Sequence, residues 1–391
     1  MRDVVIVSAV RTPIGKFLGS LSKVSAVELG TVAVKETIKR ARIEASQVED
    51  VVAGMVYKAG AKGNPARQVA VNVGIPVEAG ATTVDQQCAS AMRAFEIASQ
   101  QIMLGKADIG VAFGIESMSN VPHMLMNSRN GYRMGDVKAV DGLTHDALVC
   151  AIYGKHMGFT AQNLADKYNI SREEQDELAA MSHARAVKAQ KEGKFGKEIV
   201  PVEIKTKKGT VIVSKDECPS ENSTVDVLSK LRPVFGETVT AGNASSINDG
   251  AAAVVLMSAK KAEELGIKPM AKILSTATAG VAPEIMGIGP VYAIPKALDY
   301  AGLKMNDIDY FEINEAFAAQ FLACDRELIL PMDKVNANGS GISRGHPVGC
   351  TGIRIIVSLL HEMERRGSKY GCASLCVGGG PAMATIVEMC K

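Results

Sequence analysis

At both ends of the chain, short runs of β-branched and other apolar residues alternate with Ala-rich stretches whose apolar positions recur at helical spacing. The runs predict strands over 4–9, 50–56, 109–113, 251–257, 271–277, 308–313 and 372–377. The amphipathic stretches predict helices over 25–41, 89–104, 172–192, 291–301 and 352–366. Such alternation argues for an α/β protein, with helical layers around a largely buried sheet. Between residues 119 and 246 the character changes. Met, His, Asn and Gly become frequent, one long charged helix appears, and residues 205–208 form a basic run. This middle third is expected to be an insertion rather than more of the sheet.

The order of elements also repeats. Gln47-Val48-Glu49-Asp50 leads from a helix into a strand, and Asn306-Asp307-Ile308-Asp309 does the same later. Cys88 opens a helix that ends at Gly105-Lys106-Ala107-Asp108 before a strand and Gly114. Correspondingly, residues 345–351 open a helix that ends at Gly367-Ser368-Lys369 before a strand and Gly378. Two similar α/β modules are the expectation, although any α/β chain alternates its elements and the repeat alone does not decide it.

With 391 residues the chain can bury a large core, and its length suggests two or three domains. A hydrophobic content of 47%, a charged content of 22% and a net charge of +2 set it apart from disordered, fibrous and membrane classes. No bulk electrostatic partner such as nucleic acid is implied, and no apolar stretch approaches the length of a membrane span. Met1-Arg2-Asp3 runs straight into an apolar strand without the pattern of a signal peptide. Eight cysteines, at 88, 150, 218, 324, 350, 372, 376 and 390, are scattered and lack zinc-site pairing. Reduced thiols in a cytoplasmic protein, and no metal, are therefore expected.

Chemistry gathers at strand ends. Cys88 lies between a strand-like stretch and a helix start, where the peptide dipoles favour thiolate and small neighbours leave room for a bulky acyl group. A small core cysteine is the alternative there. His346 sits in the glycine-rich run 338–349, stiffened by Pro347, and is suited to act as a base toward a thiol or a donor to an oxyanion. Its alternative is a surface turn. Cys376 ends an apolar strand and is followed by Gly378-Gly379-Gly380, whose amides can approach a ligand closely. Asn314, also just after a strand, is suited to fixing a water or a carbonyl, or to capping a helix.

Taken in order, these motifs resemble the thiolase family over essentially the whole chain. They begin with Ser8-Ala9-Val10-Arg11-Thr12-Pro13-Ile14-Gly15, Asn64-Pro65-Ala66-Arg67-Gln68, Gln87-Cys88-Ala89-Ser90 and Gly114-Ile115-Glu116-Ser117-Met118-Ser119. They continue through the stretch 170–176, Thr240-Ala241-Gly242-Asn243-Ala244-Ser245, Asn314-Glu315-Ala316-Phe317-Ala318, Gly345-His346-Pro347 and Cys376-Val377-Gly378-Gly379-Gly380. The resemblance implies a duplicated five-layer α/β/α/β/α fold with an inserted loop domain that holds coenzyme A. On that pattern residues 1–118 and 247–269 form the N-terminal half, 119–246 the loop domain and 270–391 the C-terminal half. It implies that Cys88 takes the acyl group as a thioester, that His346 activates it, and that Cys376 removes an α-proton from a second acetyl-CoA. One oxyanion site would use His346 and a water held by Asn314; the other would use the amides of Cys88 and Gly378. Ser245, Ala244, His156, Met157 and Leu143 match positions around the pantetheine and acyl end. Coenzyme A and acetyl-CoA are implied as substrates, with no permanently bound cofactor. A homo-oligomer is implied too, with residues 120–136 as a tetramer contact.

Three departures stand out. Ser340-Gly341-Ile342-Ser343-Arg344 replaces a more apolar family sequence and puts a cation two residues before His346, facing either solvent or the site. Ser220 stands where relatives often carry an arginine near the coenzyme. His156-Met157-Gly158 resembles the short-chain, acetoacetyl-CoA type, with bulky Met157 and Met286, whereas residues 347–352 are closer to the degradative type. The short-chain reading is preferred. The alternatives are a degradative 3-ketoacyl-CoA thiolase, a decarboxylating β-ketoacyl synthase, which would need a second histidine or an equivalent in place of Cys376, and a non-catalytic acyl-CoA-binding or scaffold protein.

Overall fold

The computed structural model describes residues 1–390. Its frame is a mixed sheet that divides into two halves of the same topology. In the first half β1 (Val4–Arg11), β2 (Asp50–Gly54), β3 (Gly80–Val84), β4 (Ile109–Ser117) and β5 (Asn248–Ser258) lie in the order β1-β5-β4-β2-β3. In the second, β6 (Ala271–Gly280), β7 (Tyr310–Ile313), β8 (Tyr370–Cys376) and β9 (Pro381–Met389) lie in the order β6-β9-β8-β7. β2 runs parallel to β4 as β7 does to β8, while β5 and β9 run antiparallel to their neighbours. A single parallel bridge between Phe311 and Val335 takes the place that β3 holds in the first half. The halves join edge to edge where Val5 and Ile6 pair with Lys272 and Ala271.

The helices repeat in step. α1 (Ala26–Ala41) and α2 (Pro65–Asn72) cover the outer face of the first half; α6 (Pro290–Ala301) and α7 (Ala318–Leu328) cover that of the second. α3 (Ser90–Met103) and α8 (Val348–Arg366) pack on each other and fill the space between the half-sheets. The five layers follow from this arrangement. α8 is buried along its length from Val348 to Met363, because it has sheet on one side and α3 on another. The central strands are covered on both faces, so β1, β4 and β5 are buried at every position and show no polar alternation.

Local chemistry sets the boundaries. Ser25 and Glu28 form a capping box that starts α1, and Ser171 with Glu174 does the same for α5 (Arg172–Lys191). The strand expected over 50–56 ends at Gly54, because the amides of Val56 and Tyr57 are turned away to the buried Glu116 carboxylate. The strand expected from 308 begins at Tyr310, after a tight turn over Met305–Asp307. α8 begins four residues before the expected start, with Pro347 as its cap. α2, α4 (Met157–Tyr168), α7 and β9 were not expected; β9 opens on Pro381, and its continuous apolar run suits either a buried strand or a buried helix. Residues 119–246 add no strand to the large sheet; they carry α4, α5 and three small hairpins. No helix among the described residues is long and apolar enough to cross a membrane.

Candidate active site

β3 delivers the chain to a tight corner, Asp85-Gln86-Gln87, before α3. Gln87 is left-handed at φ +48°. Ser90 Oγ braces the corner, donating to the Gln87 carbonyl at 2.6 Å and accepting from the Gln86 amide at 2.9 Å. α3 begins at Ser90 rather than Ala89, so Cys88 stands just outside its first turn. The expectation of a favoured thiolate is corrected here. Burial pushes the Cys88 thiol up to about 11, outweighing the amides of Gly378 and Cys88 that favour the charged form. Cys88 therefore rests as a thiol, and forming its thiolate calls for a base.

A candidate base stands at the equivalent junction in the second half. A single helical turn, Gly341–Arg344, leads through Gly345 at φ +95° to His346. A Cβ at Gly345 would lie 2.6 Å from the Asn248 side chain, so glycine is required there on both counts. His346 is buried rather than on a surface turn, and its amide donates to Asn248 Oδ1 at 2.8 Å. Its Nδ1 lies 2.7 Å from Thr351 Oγ1, whose own hydrogen goes to the Pro347 carbonyl at 3.0 Å. The network therefore assigns the ring proton to Nδ1 and leaves a lone pair on Nε2. Nε2 is buried and has no protein partner. Burial, with the nearby Arg354 cation, pushes the imidazole down to about 3, so it is neutral at ordinary pH.

Asn314 follows β7, with its amide bonded to the Ser374 carbonyl at 2.9 Å. It does not cap a helix, since α7 starts at Ala318 with Phe317 in the cap position. Arg354 donates to Asn314 Oδ1 at 3.4 Å and so fixes the amide, whose nitrogen lies 3.5 Å from the protonated His346 Nδ1 as a neighbour and not as its hydrogen-bond partner. Cys376 closes β8 and is buried; burial raises its thiol well above the ordinary range. Gly378 follows, and a Cβ there would come within 2.6 Å of Met157 Cε.

Cys88, His346, Cys376 and Gly378 line one cavity of about 340 Å³, together with Ala244, Ser245, His156 and Met157. Two residues of the expected set lie behind the wall. Leu143 packs with Tyr57 and Met118, its carbonyl accepting from Tyr57 Oη at 2.8 Å, and Asn314 reaches the cavity only through His346. His156 caps α4 and stacks on Phe235 at 4.2 Å. Met286 joins Met157 in the wall, so both bulky residues narrow the cavity. No group of three potential metal ligands occurs among the described residues.

Two thiols, a neutral imidazole with a free lone pair and converging amides, brought to one cavity from both halves of a duplicated fold, match one family's pattern. The family model "Thiolase, N-terminal domain" covers residues 4–260 and "Thiolase, C-terminal domain" covers 267–389. This chain belongs to the thiolase family. It is 51% identical to an acetyl-CoA acetyltransferase of Cupriavidus necator, over 99% of this chain and 100% of that one. It is 48% identical to one of Escherichia coli, over 99% of both. Among solved structures it superposes on acetyl-CoA acetyltransferase from Syntrophomonas wolfei with a TM-score of 0.98, at 50% identity and full coverage of both chains. Human mitochondrial 3-ketoacyl-CoA thiolase gives 0.97 at 40% identity, covering 100% of this chain and 99% of that one.

Several residues of this thiolase's site carried no role in the sequence reading. Thr351, Asn248 and Arg354 orient His346 and Asn314, and Phe235 backs His156. Only Thr351 carried a signal, standing one helical turn beyond Pro347. The cation before His346 faces neither solvent nor cavity. Arg344 is fully buried against Glu198, Asp216 and the Phe195 ring. Burial alone would raise Glu198, but Arg11 and Arg344 hold it down at about 2. Ser220 lies outside the cavity, its amide on His183 Nδ1 at 3.3 Å.

A pH dependence follows from His346. Its folded value of about 3 lies below the ordinary 6.5, so below pH 6.5 the unfolded chain binds the extra proton and stability falls as pH falls. A His346→Asn variant lacks this loss. Relative to the parent it should gain about 1.4 kcal/mol per pH unit between pH 6 and 4, read from paired urea unfolding curves; parallel pH profiles would contradict the assignment.

Proposed function

We propose that this thiolase catalyses the reversible Claisen condensation of two acetyl-CoA molecules to acetoacetyl-CoA and coenzyme A, through an acyl-enzyme on Cys88. The observation that carries it is the convergence of Cys88, Cys376, His346 and Gly378 on one apolar cavity.

His346 Nε2 takes the Cys88 proton as the sulfur attacks the acetyl-CoA carbonyl. Because the thiol sits near 11 and the imidazole near 3, transfer is concerted with attack rather than complete beforehand. The Cys88 and Gly378 amides, already directed at the sulfur, hold the oxyanion that forms. The old C–S bond breaks, and the departing CoA sulfur takes the Cys376 proton. Cys376 is left as a thiolate in an apolar setting, hence a strong base. It removes the α-proton of a second acetyl-CoA. The enolate, stabilised by the His346 imidazolium with Asn314 behind the ring, attacks the acyl-enzyme, and Cys88 leaves with the proton returned by His346. Covalent capture thus divides one hard step into two.

Ala244, Ser245, His156 and Met157 hold the pantetheine arm and acyl end, with Leu143 supporting the wall. Met157 and Met286 favour short acyl groups over the degradative alternative. The loop domain is assigned to 119–246, the N-terminal half to 1–118 with 247–269, and the C-terminal half to 270–391. A homo-oligomer is proposed because β3 is a sheet edge with unpaired backbone groups, and residues 120–136 present exposed Leu125, Met126 and Tyr132; a sedimenting monomer would contradict it. Eight free thiols favour a reducing, cytoplasmic compartment.

The test is mass spectrometry after mixing with acetyl-CoA, followed by CoA-dependent cleavage of 3-ketoacyl-CoA of increasing length. An acetyl group on the Cys88 peptide and fastest cleavage of acetoacetyl-CoA are expected. A folded protein with no adduct would favour the non-catalytic reading, and faster long-chain cleavage would favour the degradative one.

A further inference from the structure

We propose that Arg344 is a positioning residue for His346, acting through a buried four-charge latch that clamps the segment after α5 onto the catalytic loop. The latch is built from Arg11, Arg344, Glu198 and Asp216, each at most 3% exposed. Arg11 makes a two-pronged pair with Asp216, at 2.7 and 2.9 Å, and reaches Glu198 at 3.2 Å. Arg344 reaches the same Glu198 oxygen at 3.3 Å, and its Nε lies 3.8 Å from Asp216. Ser358 of α8 accepts from Arg344 at 3.0 Å and donates to Glu198 at 3.2 Å. The Phe195 ring lies under both guanidinium groups, 4.4 Å from Arg344 and 5.3 Å from Arg11. Two cations and two anions balance, which is the condition for keeping any of them away from water.

The latch joins parts of the chain that carry different tasks. Glu198 and Asp216 come from the segment beyond α5, which is also docked by backbone bonds from Arg11 to Glu198 and from Val200 to Arg11. Arg344 comes from the loop that ends in His346. Only Gly345 separates the two, and its left-handed backbone is wedged against Asn248, the residue that holds the His346 amide. With the backbone fixed on both sides of this glycine, a shift of Arg344 is passed to the imidazole instead of being absorbed. An apolar residue at 344 would fill the space and leave Glu198 and Asp216 to share one cation.

Positioning differs from stabilisation in the sign of an accessible signal. A merely loosened fold exposes Cys88 and speeds its alkylation, whereas a displaced His346 no longer takes the thiol proton and slows it. The inference rests on His346 as the base for Cys88, but alkylation needs no acyl-CoA, so its outcome is separate from that of the acetyl-transfer test. Iodoacetamide labelling of the Cys88 peptide at pH 8 would be followed by mass spectrometry, with melting temperatures alongside, in the full-length parent, Arg344→Leu and the charge-balanced Arg344→Leu/Glu198→Gln. In the balanced variant, folding restored to near the parent's melting temperature and Cys88 alkylation slowed at least fivefold are expected. A folded balanced variant alkylated as fast as the parent, or faster, would overturn the proposal. If neither leucine variant folds, Arg344→Lys decides: it keeps the charge and loses the fork, so threefold slower alkylation supports the latch and a parental rate overturns it.

Discussion

Cys88→Ser should form no acetyl adduct and lose turnover by about 10⁴-fold or more, with a melting temperature close to the parent's. Serine keeps the shape of the corner between β3 and α3, because Gln86, Gln87 and Ser90 hold it without help from the sulfur. Reactivity is a different matter. The cavity already raises the thiol to about 11 against two amides that favour its anion, and a hydroxyl is a far weaker acid in the same setting. The neutral His346, held near 3, is too weak a base to compensate. Intact-mass analysis with acetyl-CoA, alongside CoA release, checks both halves of the expectation. Turnover within about 10²-fold of the parent would mean that the acyl group is carried elsewhere, Cys376 being the nearest candidate.

The strands and helices that frame this site were legible where one pattern dominated. β1, β4 and β5 are apolar at nearly every position, and α1 and α5 carry capping boxes at their starts. The duplication was visible as a repeated order of elements, but its strongest form is long-range. β5 returns to the first half-sheet after the excursion through 119–246, and Val335 stands in for β3 by a single bridge. Neither has a local signal. Cys88, His346, Cys376 and Gly378 could be named because small and glycine-rich neighbours mark places where a ligand can come close. Their electrostatics could not. A helix start predicted an acidic thiol, while burial by residues remote in sequence, invisible in local sequence, made it a reluctant one. Arg344 shows the same limit. A cation two residues before His346 suggested solvent or the site, and only the fold brings Glu198 and Asp216, remote in sequence, to its side.

The two cysteines are separable by experiment because their settings differ. Cys88 is partly open to the cavity and receives amide hydrogen bonds that stabilise its anion, whereas Cys376 is buried and its thiol is raised well above the ordinary range, by burial first and by the neighbouring Cys88 second. An anion so poorly solvated makes a strong base and a poor resting state, which suits the brief existence that the proposed cycle gives it. Cys376→Ser should therefore keep the first half of the reaction and lose the second. Acetyl transfer to Cys88 should remain visible by mass, slowed by the lack of a good proton donor to the departing CoA. Condensation, and cleavage of acetoacetyl-CoA in reverse, should fall by about 10²–10⁴-fold, since both pass a proton at the α-carbon. The measurement is single-turnover acetylation beside steady-state thiolysis on one preparation. Equal losses in the two would place Cys376 in forming the acyl-enzyme itself. A far larger loss at the carbon–carbon step would fix it as the group that moves the α-proton, which the depth of its burial and its place in the same cavity as Cys88 both favour.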